Sequence, residues 1–229
     1  MENKELWRKA EMAIGGELLT LDMKISGTVR KSLIGLEFIL ARYKFVAKML
    51  QNREHLKVLD LGCGEGLGDL LIAQNCGCDK IVGIDFMEDD IKWANENIAN
   101  EKMEFLHKDF MGEDIFSGRG DCVVSLDVVE HIPVEQEDEY LKTICLNLAP
   151  DGIAVIGTPN VTMHPYASPW NKEAHINNYS QERLYAALSK YFKNVFIFGM
   201  NDEVLHTGFY PMSCYIMALC CGKRNKKEA

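Results

Sequence analysis

Apolar residues recur at helical spacing in the first quarter of the chain. Between residues 29 and 50 they stand three or four positions apart, which is typical of an amphipathic helix. Gly15, Gly16 and Gly27 interrupt the preceding residues and predict shorter helices there. We therefore expect residues 1–55 to form an N-terminal helical cap.

The pattern changes after residue 55 to short apolar runs separated by amphipathic stretches. This alternation predicts an α/β fold, in which helices flank a mostly parallel sheet. Residues 200–212 have no helical period, so we expect the last two strands to form an antiparallel hairpin. The domain then covers residues 56–222 and is followed by a frayed basic tail at 223–229. The expected strands are 57–61, 80–85, 103–107, 121–126, 152–157, 194–199 and 213–219, and the expected helices lie near 66–75, 88–99, 135–148 and 180–190.

Composition narrows the class of protein. Of the 229 residues, 47% are hydrophobic and 26% are charged, as in one ordinary globular domain. The formal charge of −9 argues against a nucleic-acid partner, because phosphate backbones attract clustered Lys and Arg. No signal peptide or membrane span is evident, and the eight cysteines include no Cys-x-x-Cys pair. We expect a cytoplasmic protein with reduced thiols and no membrane partner.

The end of the first expected strand is rich in glycine. It reads Asp60-Leu-Gly62-Cys-Gly64-Glu-Gly66-Leu-Gly and runs into a helix. Glycines at a strand-to-helix turn allow positive φ and let a ligand approach the backbone. The third glycine of the dinucleotide fingerprint G-x-G-x-x-G is replaced by Leu67, so the loop is not typical of NAD-binding proteins.

Acidic residues follow the next two expected strands. Asp85 is placed to accept hydrogen bonds from two ribose hydroxyls, although an acid at a helix start would also explain it. Asp109 is placed to bind an adenine amino group while Phe110 or Met111 packs on the ring. An ordinary polar loop explains Asp109 almost as well.

Taken in order, five segments resemble class I S-adenosylmethionine-dependent methyltransferases. The resemblance covers residues 38–200 and is strongest to the branch of ubiquinone-biosynthesis O-methyltransferases and bacterial surface-polysaccharide methyltransferases. It implies a Rossmann-like seven-stranded sheet of order 3-2-1-4-5-7-6 with the last strand antiparallel. The segments are Val-Leu-Asp60-Leu-Gly-Cys-Gly-Glu-Gly, Ile-Val-Gly-Ile-Asp85, Lys-Asp109-Phe, Ser-Leu-Asp-Val-Val-Glu130-His131-Ile-Pro and Leu-Ala-Pro-Asp-Gly152-Ile-Ala-Val-Ile-Gly-Thr-Pro-Asn.

The resemblance also implies a set of residues around S-adenosylmethionine. Asp60 would organise the glycine loop, Gly62 and Gly64 would lie against the methionine part, and Asp85 would hold the ribose. For Arg42 we expect a bidentate contact to the methionine carboxylate, with a solvated position on the polar helix face as the alternative. The expected cofactor-binding set is Arg42, Asp60, Gly62, Gly64, Gly66, Asp85, Phe86, Asp109, Phe110 and Leu126.

Methyl transfer from a sulfonium is an in-line displacement that needs few catalytic residues. A hydroxyl acceptor would gain from a base, and His131 or His175 is the candidate, although positioning alone is equally open. A structural or cofactor-shell role for Glu130 and His131 is a further alternative. His164 and His175 show no metal-ligand spacing, so we expect no metal.

Residues 158–178 interrupt the strand and helix alternation and are expected to form an acceptor lid. Their mixture of aromatic and hydrogen-bonding side chains suits a polar ring, although a surface loop packed onto the sheet is the alternative. The expected acceptor-binding residues are Tyr166, Trp170 and Lys172, with Asn171 and His175 beside them.

The function we expect is O-methylation of a small polar metabolite. The methyl group would go to a hydroxyl or a phosphate-like oxygen, and a sugar, a nucleotide sugar or a group of a surface glycan or capsule is the preferred acceptor. N-methylation of an amine or amino sugar, O-methylation of a quinone precursor, and an inactive cofactor-binding scaffold are the alternatives. The sequence leaves the oligomeric state open.

Overall fold

The computed structural model of the protein describes residues 33–224. The helices expected before residue 33, the glycines that separate them, and tail residues 225–229 lie outside this range. The helices are α1 (Leu33–Leu50), α2 (Leu67–Asn75), α3 (Glu88–Asn97), α4 (Glu137–Asn147), α5 (Pro169–Ala174) and α6 (Gln181–Ser189). The strands are β1 (Leu56–Leu61), β2 (Cys78–Asp85), β3 (Met103–His107), β4 (Gly120–Leu126), β5 (Leu148–Pro159), β6 (Phe192–Asn201), β7 (Val204–His206) and β8 (Tyr215–Lys223).

The α/β fold is confirmed, with one strand more than predicted. The eight strands of the described chain form one sheet of order β3-β2-β1-β4-β5-β8-β6-β7. Strands β1 to β5 pair in parallel, and β8 lies antiparallel between β5 and β6. If β7 is left out and β8 is counted as the seventh strand, this order is the predicted 3-2-1-4-5-7-6. The prediction of seven strands is wrong because the chain turns at Asp202 (φ +51°) and pairs Val204 with Asn201.

Helices cover both faces of the sheet, as a parallel sheet requires. Alternate residues of each central strand therefore enter two separate apolar cores. In β1, Val58 packs with α1, α2 and α3, whereas Leu59 and Leu61 pack with α4 and α6. The arrangement leaves the carboxyl ends of the parallel strands as the accessible edge, where open α/β sheets bind their ligands.

The end of β8 corrects the prediction for the start of the basic tail. Lys223 donates through Nζ to the carbonyl oxygens of Cys145 (3.0 Å) and Leu148 (2.6 Å). Arg224 donates through Nε to the carbonyl oxygens of Ser189 (3.0 Å) and Phe192 (3.2 Å). Both cations cap carbonyl groups of neighbouring elements, so the chain is not frayed at residues 223 and 224.

Two further sequence expectations concern cysteines and membranes. All eight cysteines fall within the described residues and are free thiols. Among residues 33–224, no helix is long and apolar enough to cross a membrane.

Candidate functional site

A cavity of about 790 Å³ opens at the carboxyl ends of β1, β2 and β4. This volume is in the range of small-molecule binding sites. Helix α1 forms one wall with Ile39, Arg42 and Tyr43. Most of the expected cofactor residues line the cavity, namely Arg42, Gly62, Gly64, Asp85, Phe86, Asp109, Phe110 and Leu126, and His131 lies on the same wall as Leu126. Asp60 and Gly66 are not among the residues that line the cavity.

The glycine loop can have its shape only because three of its positions have no side chain. Gly62, Gly64 and Gly66 have φ of +82°, +55° and +78°. A Cβ on Gly62 would lie 2.3 Å from Cγ2 of Val128, and one on Gly66 would lie 2.5 Å from Cε1 of Phe105. Sterics and backbone conformation therefore both require glycine at these two positions.

Asp85 connects the glycine loop to the start of α3. Its Oδ2 accepts a hydrogen bond from the Gly64 amide (2.9 Å), and its Oδ1 accepts one from the Met87 amide (2.9 Å). The side chain is nearly buried and borders the cavity. Each carboxylate oxygen has further lone-pair capacity, so these contacts leave acceptor sites for ligand hydroxyls. The helix-start contact and a ligand contact are compatible in this geometry.

A group of buried polar side chains lies beneath the loop. Asp60 is fully buried and accepts a hydrogen bond from the Tyr43 hydroxyl (2.8 Å). Burial, together with the charge of Asp85, raises the pKa of Asp60 to about 7. Asp69 is also fully buried, and within the described chain neither of its carboxylate oxygens has a hydrogen-bond partner. Burial and the nearby Asp60 raise the pKa of Asp69 well above its usual range.

This arrangement changes the role expected for Asp60. The direct hydrogen bond to the loop backbone comes from Asp85, whereas Asp60 fixes Tyr43 of α1. A Cβ on Gly68 would lie 2.1 Å from the Tyr43 ring, so α1 packs tightly on the start of α2. Asp60 therefore acts on the loop by positioning the helix that closes the cavity.

Arg42 lies on the cavity wall between two side chains. Its guanidinium forms an ion pair with Asp127 and stacks on the Tyr215 ring, 3.8 Å from the ring centroid. Within residues 33–224, its Nε has no hydrogen-bond partner. The solvated alternative for Arg42 does not fit this position, because both the ion pair and the ring contact hold the guanidinium at the cavity.

The far wall of the cavity combines exposed and buried aromatic groups. Phe86 is 73% exposed at the cavity and Phe110 is buried, with its ring packed edge-on against Tyr140. Asp109 is exposed and accepts a hydrogen bond from the Met111 amide (2.9 Å), the contact expected of a polar loop. Met111 packs into the core and is not among the described lining residues.

Two histidines from different segments meet at the end of β4. The rings of His131 and His175 lie 5.0 Å apart and nearly perpendicular. His131 Nδ1 lies 3.1 Å from the carbonyl oxygen of Ala174, and the Asn177 amide donates to the carbonyl oxygen of Glu130 (3.0 Å). These two contacts attach the segment after α5 to the end of β4. Burial and the neighbouring His131 lower the pKa of His175.

Glu130 is buried beside this pair. Its Oε2 accepts a hydrogen bond from the Thr158 hydroxyl (3.0 Å), while Oε1 has no partner in the described chain. Burial, and then the charge of Asp127, raise the pKa of Glu130 to about 8. A buried carboxylate with one unpaired oxygen normally has a ligand, a proton or a cation to satisfy it.

The residues expected to bind the acceptor are not brought to the cavity. Tyr166 and Trp170 are 80% and 79% exposed, and Lys172 donates to the carbonyl oxygen of Pro165 (2.8 Å). None of the three is among the described lining residues. Their exposure does not fit the alternative in which Tyr166 and Trp170 pack onto the sheet. Instead the segment folds into a short 3₁₀ helix (Val161–Tyr166) and α5, and His175 after α5 contacts His131, which lines the cavity.

Several side chains of the site were not singled out from the sequence. Tyr43 and Tyr215 each meet the site from an element far away along the chain, so no local pattern indicates them. Asp127 carried a signal in the sequence, because it directly follows the expected strand 121–126, at the edge of the sheet where ligands bind. Asp69 lies next to the glycine loop, but a polar residue in a first helical turn is normally exposed.

Comparison with known proteins identifies the family. The profile of a family described as a methyltransferase domain (Methyltransf_23) matches residues 37–193. The chain belongs to this methyltransferase-domain family.

Two curated relatives illustrate the range of matches. The chain is 31% identical over 134 residues to the ubiquinone biosynthesis O-methyltransferase of Caulobacter sp. (strain K31). The aligned segment covers 57% of this chain and 52% of the relative. It is 28% identical over 118 residues to the cyclopropane-fatty-acyl-phospholipid synthase of Escherichia coli (strain K12). That aligned segment covers 52% of this chain and 30% of the relative. The chain thus spans about half the length, or less, of these relatives.

Solved structures show the same fold. The TehB-like SAM-dependent methyltransferase from Corynebacterium glutamicum has a TM-score of 0.61 at 17% identity, with 97% of each chain covered. The plantazolicin methyltransferase BpumL in complex with SAH has a TM-score of 0.66 at 16% identity, with 87% of this chain and 88% of that chain covered. The predicted resemblance to class I S-adenosylmethionine-dependent methyltransferases, and to the ubiquinone-biosynthesis O-methyltransferases among them, is confirmed. S-adenosylmethionine is the cofactor of this family.

Proposed function

We propose that this protein transfers the methyl group of S-adenosylmethionine to an oxygen of a small polar acceptor. The observation that carries the proposal is the continuous cavity, which runs from the glycine loop and Asp85 to Asp127 and His131. One end is built for a nucleoside and an amino acid group, and the other end has hydrogen-bonding side chains and access for a second molecule.

The residues present fit the donor. Gly62 and Gly64 line the cavity without a side chain, so a ligand can lie directly against the main chain there. Asp85 borders the same surface and retains acceptor capacity for ribose hydroxyls. At the α1 wall, Arg42 lines the cavity and brings a cationic guanidinium that suits the methionine carboxylate.

The bound donor supplies an electrophilic methyl group on a sulfonium, and displacement requires an acceptor oxygen in line with it. The protein's contribution is to hold both molecules and exclude water. The wall formed by residues after β4 carries groups for the acceptor, since Asp127, His131 and Gln136 border the cavity there. These groups suit a hydroxylated molecule such as a sugar, a nucleotide sugar or a group of a surface glycan.

A phenolic quinone precursor is the second candidate acceptor. It is favoured by the similarity to ubiquinone biosynthesis O-methyltransferases, which covers just over half of this chain. A phenol and a sugar both present a hydroxyl to the methyl group, but they differ in acidity and in apolar surface.

A screen with deuterium-labelled methyl donor separates these acceptors. The full chain is incubated with sugars and nucleotide sugars, phenols and catechols, and amines or amino sugars, and each product is read by mass spectrometry. We expect a mass gain of one CD₃ group on oxygen. Gain on nitrogen alone would contradict O-methylation, and donor binding without transfer to any acceptor class would favour the inactive scaffold.

A further inference from the structure

We propose that Asp127 binds the α-ammonium group of the donor, so that Arg42 and Asp127 together recognise its amino acid end as a zwitterion. The inference rests on the proposed function and assigns one more residue to the donor. Arg42 on α1 and Asp127 after β4 are 85 residues apart in the chain, yet their side chains form an ion pair and both line the cavity. With Asp127 bound to the donor, His131 and Gln136 remain on this wall for the acceptor.

The ion pair changes what Arg42 can bind. Arg42 and Asp127 together carry no net charge, so a ligand with only a carboxylate is attracted by the guanidinium and repelled by Asp127 at nearly the same place. In S-adenosylmethionine and S-adenosylhomocysteine, the carbon that bears the carboxylate also bears an ammonium group. A carboxylate held by Arg42 therefore brings the ammonium close to Asp127, and a ligand with both charges complements both side chains.

The position of Asp127 leaves its carboxylate open to a ligand. The side chain is 42% exposed at the cavity, and Arg42 donates to its Oδ2. Because a carboxylate has about four lone-pair sites, acceptor capacity remains for an ammonium group. The backbone amide of Asp127 donates to the carbonyl oxygen of Gly157 (2.9 Å), so the side chain starts from a fixed point on the cavity wall.

The Tyr215 ring holds the guanidinium of Arg42 beside Asp127. Tyr215 is 4% exposed and lies at the start of β8, between β5 and β6. A Cβ on Gly157 would lie 2.6 Å from its hydroxyl oxygen, so the ring packs directly on the β5 backbone. A guanidinium stacked on a ring keeps its N–H groups at its edge, where carboxylates bind. Because Asp127 accepts from Nη1, other N–H groups remain for the donor carboxylate.

Four ligands that differ at the amino acid end test the assignment. They are S-adenosylhomocysteine, its deaminated analogue with the carboxylate alone, its decarboxylated analogue with the ammonium alone, and methylthioadenosine with neither group. The dissociation constant of each is measured by calorimetry with the full chain and with Asp127→Asn.

Asp202→Asn is the matched control. Asp202 is exposed and is not among the described residues that line the cavity. Its φ of +51° is close to the +57° of Asp127, and Asn tolerates this conformation at both positions.

We expect Asp127→Asn to change two of the affinities in opposite directions. The decarboxylated analogue should bind about tenfold more weakly, because a hydrogen bond between two charged groups is lost. The deaminated analogue should bind about threefold more tightly, because the repulsion by Asp127 disappears and Arg42 no longer has a competing partner. Methylthioadenosine should bind as it does to the wild type. A general loss of folding or packing weakens every ligand, so it does not produce a gain for one of them.

Weaker binding of all four ligands to Asp127→Asn would overturn the assignment. Equal affinity of Asp127→Asn and Asp202→Asn for the decarboxylated analogue would overturn it too. Weaker binding of the deaminated analogue would also contradict it, because Asp127 would then serve only to hold Arg42. The expected pattern in a protein that transfers no methyl group would support the assignment and contradict the proposed function. Methyl transfer without this pattern would overturn the assignment alone, so the two failures are distinguishable.

Discussion

The donor region, residues 61–68 with Asp85, and the acceptor region, residues 161–176, border the same edge of the sheet but are built differently. The donor loop is largely buried and has backbone angles that only glycine adopts freely. The acceptor segment is largely exposed and consists of a 3₁₀ turn and a helix of six residues. The first region therefore binds through the fixed shape of its backbone, whereas the second depends on a few side chains held by two hydrogen bonds to the end of β4.

The contrast shows where substitutions have their effect. In the donor region, added atoms collide with the core and the backbone cannot yield. In the acceptor region, most side chains can change without disturbing the fold, so acceptor specificity can vary while the donor stays the same.

The largest effect is expected from Gly62→Ala. The new methyl group would lie 2.3 Å from Val128 at φ +82°, and strain and overpacking of this kind cost about 2 kcal/mol or more. We expect S-adenosylhomocysteine affinity, measured by calorimetry, to fall at least thirtyfold. Gly112→Ala is the matched control, because it has φ +75° but no atom within 4 Å of the added carbon. Equal losses in both variants would show that the contact with Val128 does not matter.

Asp85→Ala should have the next largest effect on the donor. The substitution removes the carboxylate expected to bind the ribose and the hydrogen bond that this carboxylate accepts from the Gly64 amide. We expect a loss of about 1–3 kcal/mol in the free energy of donor binding. The control is Asp89→Ala, which removes an exposed acid from the first turn of α3. If the two variants bind S-adenosylmethionine equally well, Asp85 is only a helix-start acid.

The buried carboxyl groups predict a pH dependence of stability. The pKa of Asp60 is about 7 in the folded protein and 3.8 ordinarily, so between these values the folded state keeps a proton that the unfolded chain releases. The free energy of unfolding should therefore fall as the pH rises through this window, by up to about 1.4 kcal/mol per pH unit.

Asp69→Asn extends this test, because it replaces a buried ionisable group next to Asp60 with a neutral one. We expect the variant to be more stable than the wild type by at least about 1 kcal/mol at pH 8 and by less at pH 5, from urea unfolding. Asp151→Asn, at an exposed position, should change neither the stability nor its slope with pH. A wild-type stability that rises between pH 5 and pH 7 would contradict the account.

Arg42 lies on the cavity wall beside Asp127, and its substitution should have the smallest effect. Because Asp127 already pairs with the guanidinium, the gain on binding the donor carboxylate is reduced to about 1 kcal/mol. Arg42→Ala should weaken S-adenosylmethionine about fivefold and leave methylthioadenosine, which lacks the carboxylate, unchanged. Lys44→Ala, on the exposed side of α1, provides the comparison. Equal weakening of both ligands would remove the carboxylate assignment.

The sequence predicted the donor region well because its constraints are local. Gly62 and Asp85 stand at strand ends, where chemistry and position in the chain coincide. The acceptor region could not be predicted in the same way. Tyr166 and Trp170 were chosen for their chemistry, but the side chain that reaches His131 is that of His175, and the tertiary contact of Ala174 with His131 decides this. The strand β7 was missed for a similar reason, since three residues paired to an edge leave no periodic pattern.

The central claim is that the cavity binds an S-adenosylmethionine-type donor through the glycine loop. Calorimetry of the full chain with S-adenosylhomocysteine, and with NAD at the same concentrations, tests it most directly. We expect one S-adenosylhomocysteine per chain, strong weakening by Gly62→Ala, and no measurable heat with NAD. NAD binding of comparable affinity, or S-adenosylhomocysteine binding that Gly62→Ala leaves unchanged, would contradict it.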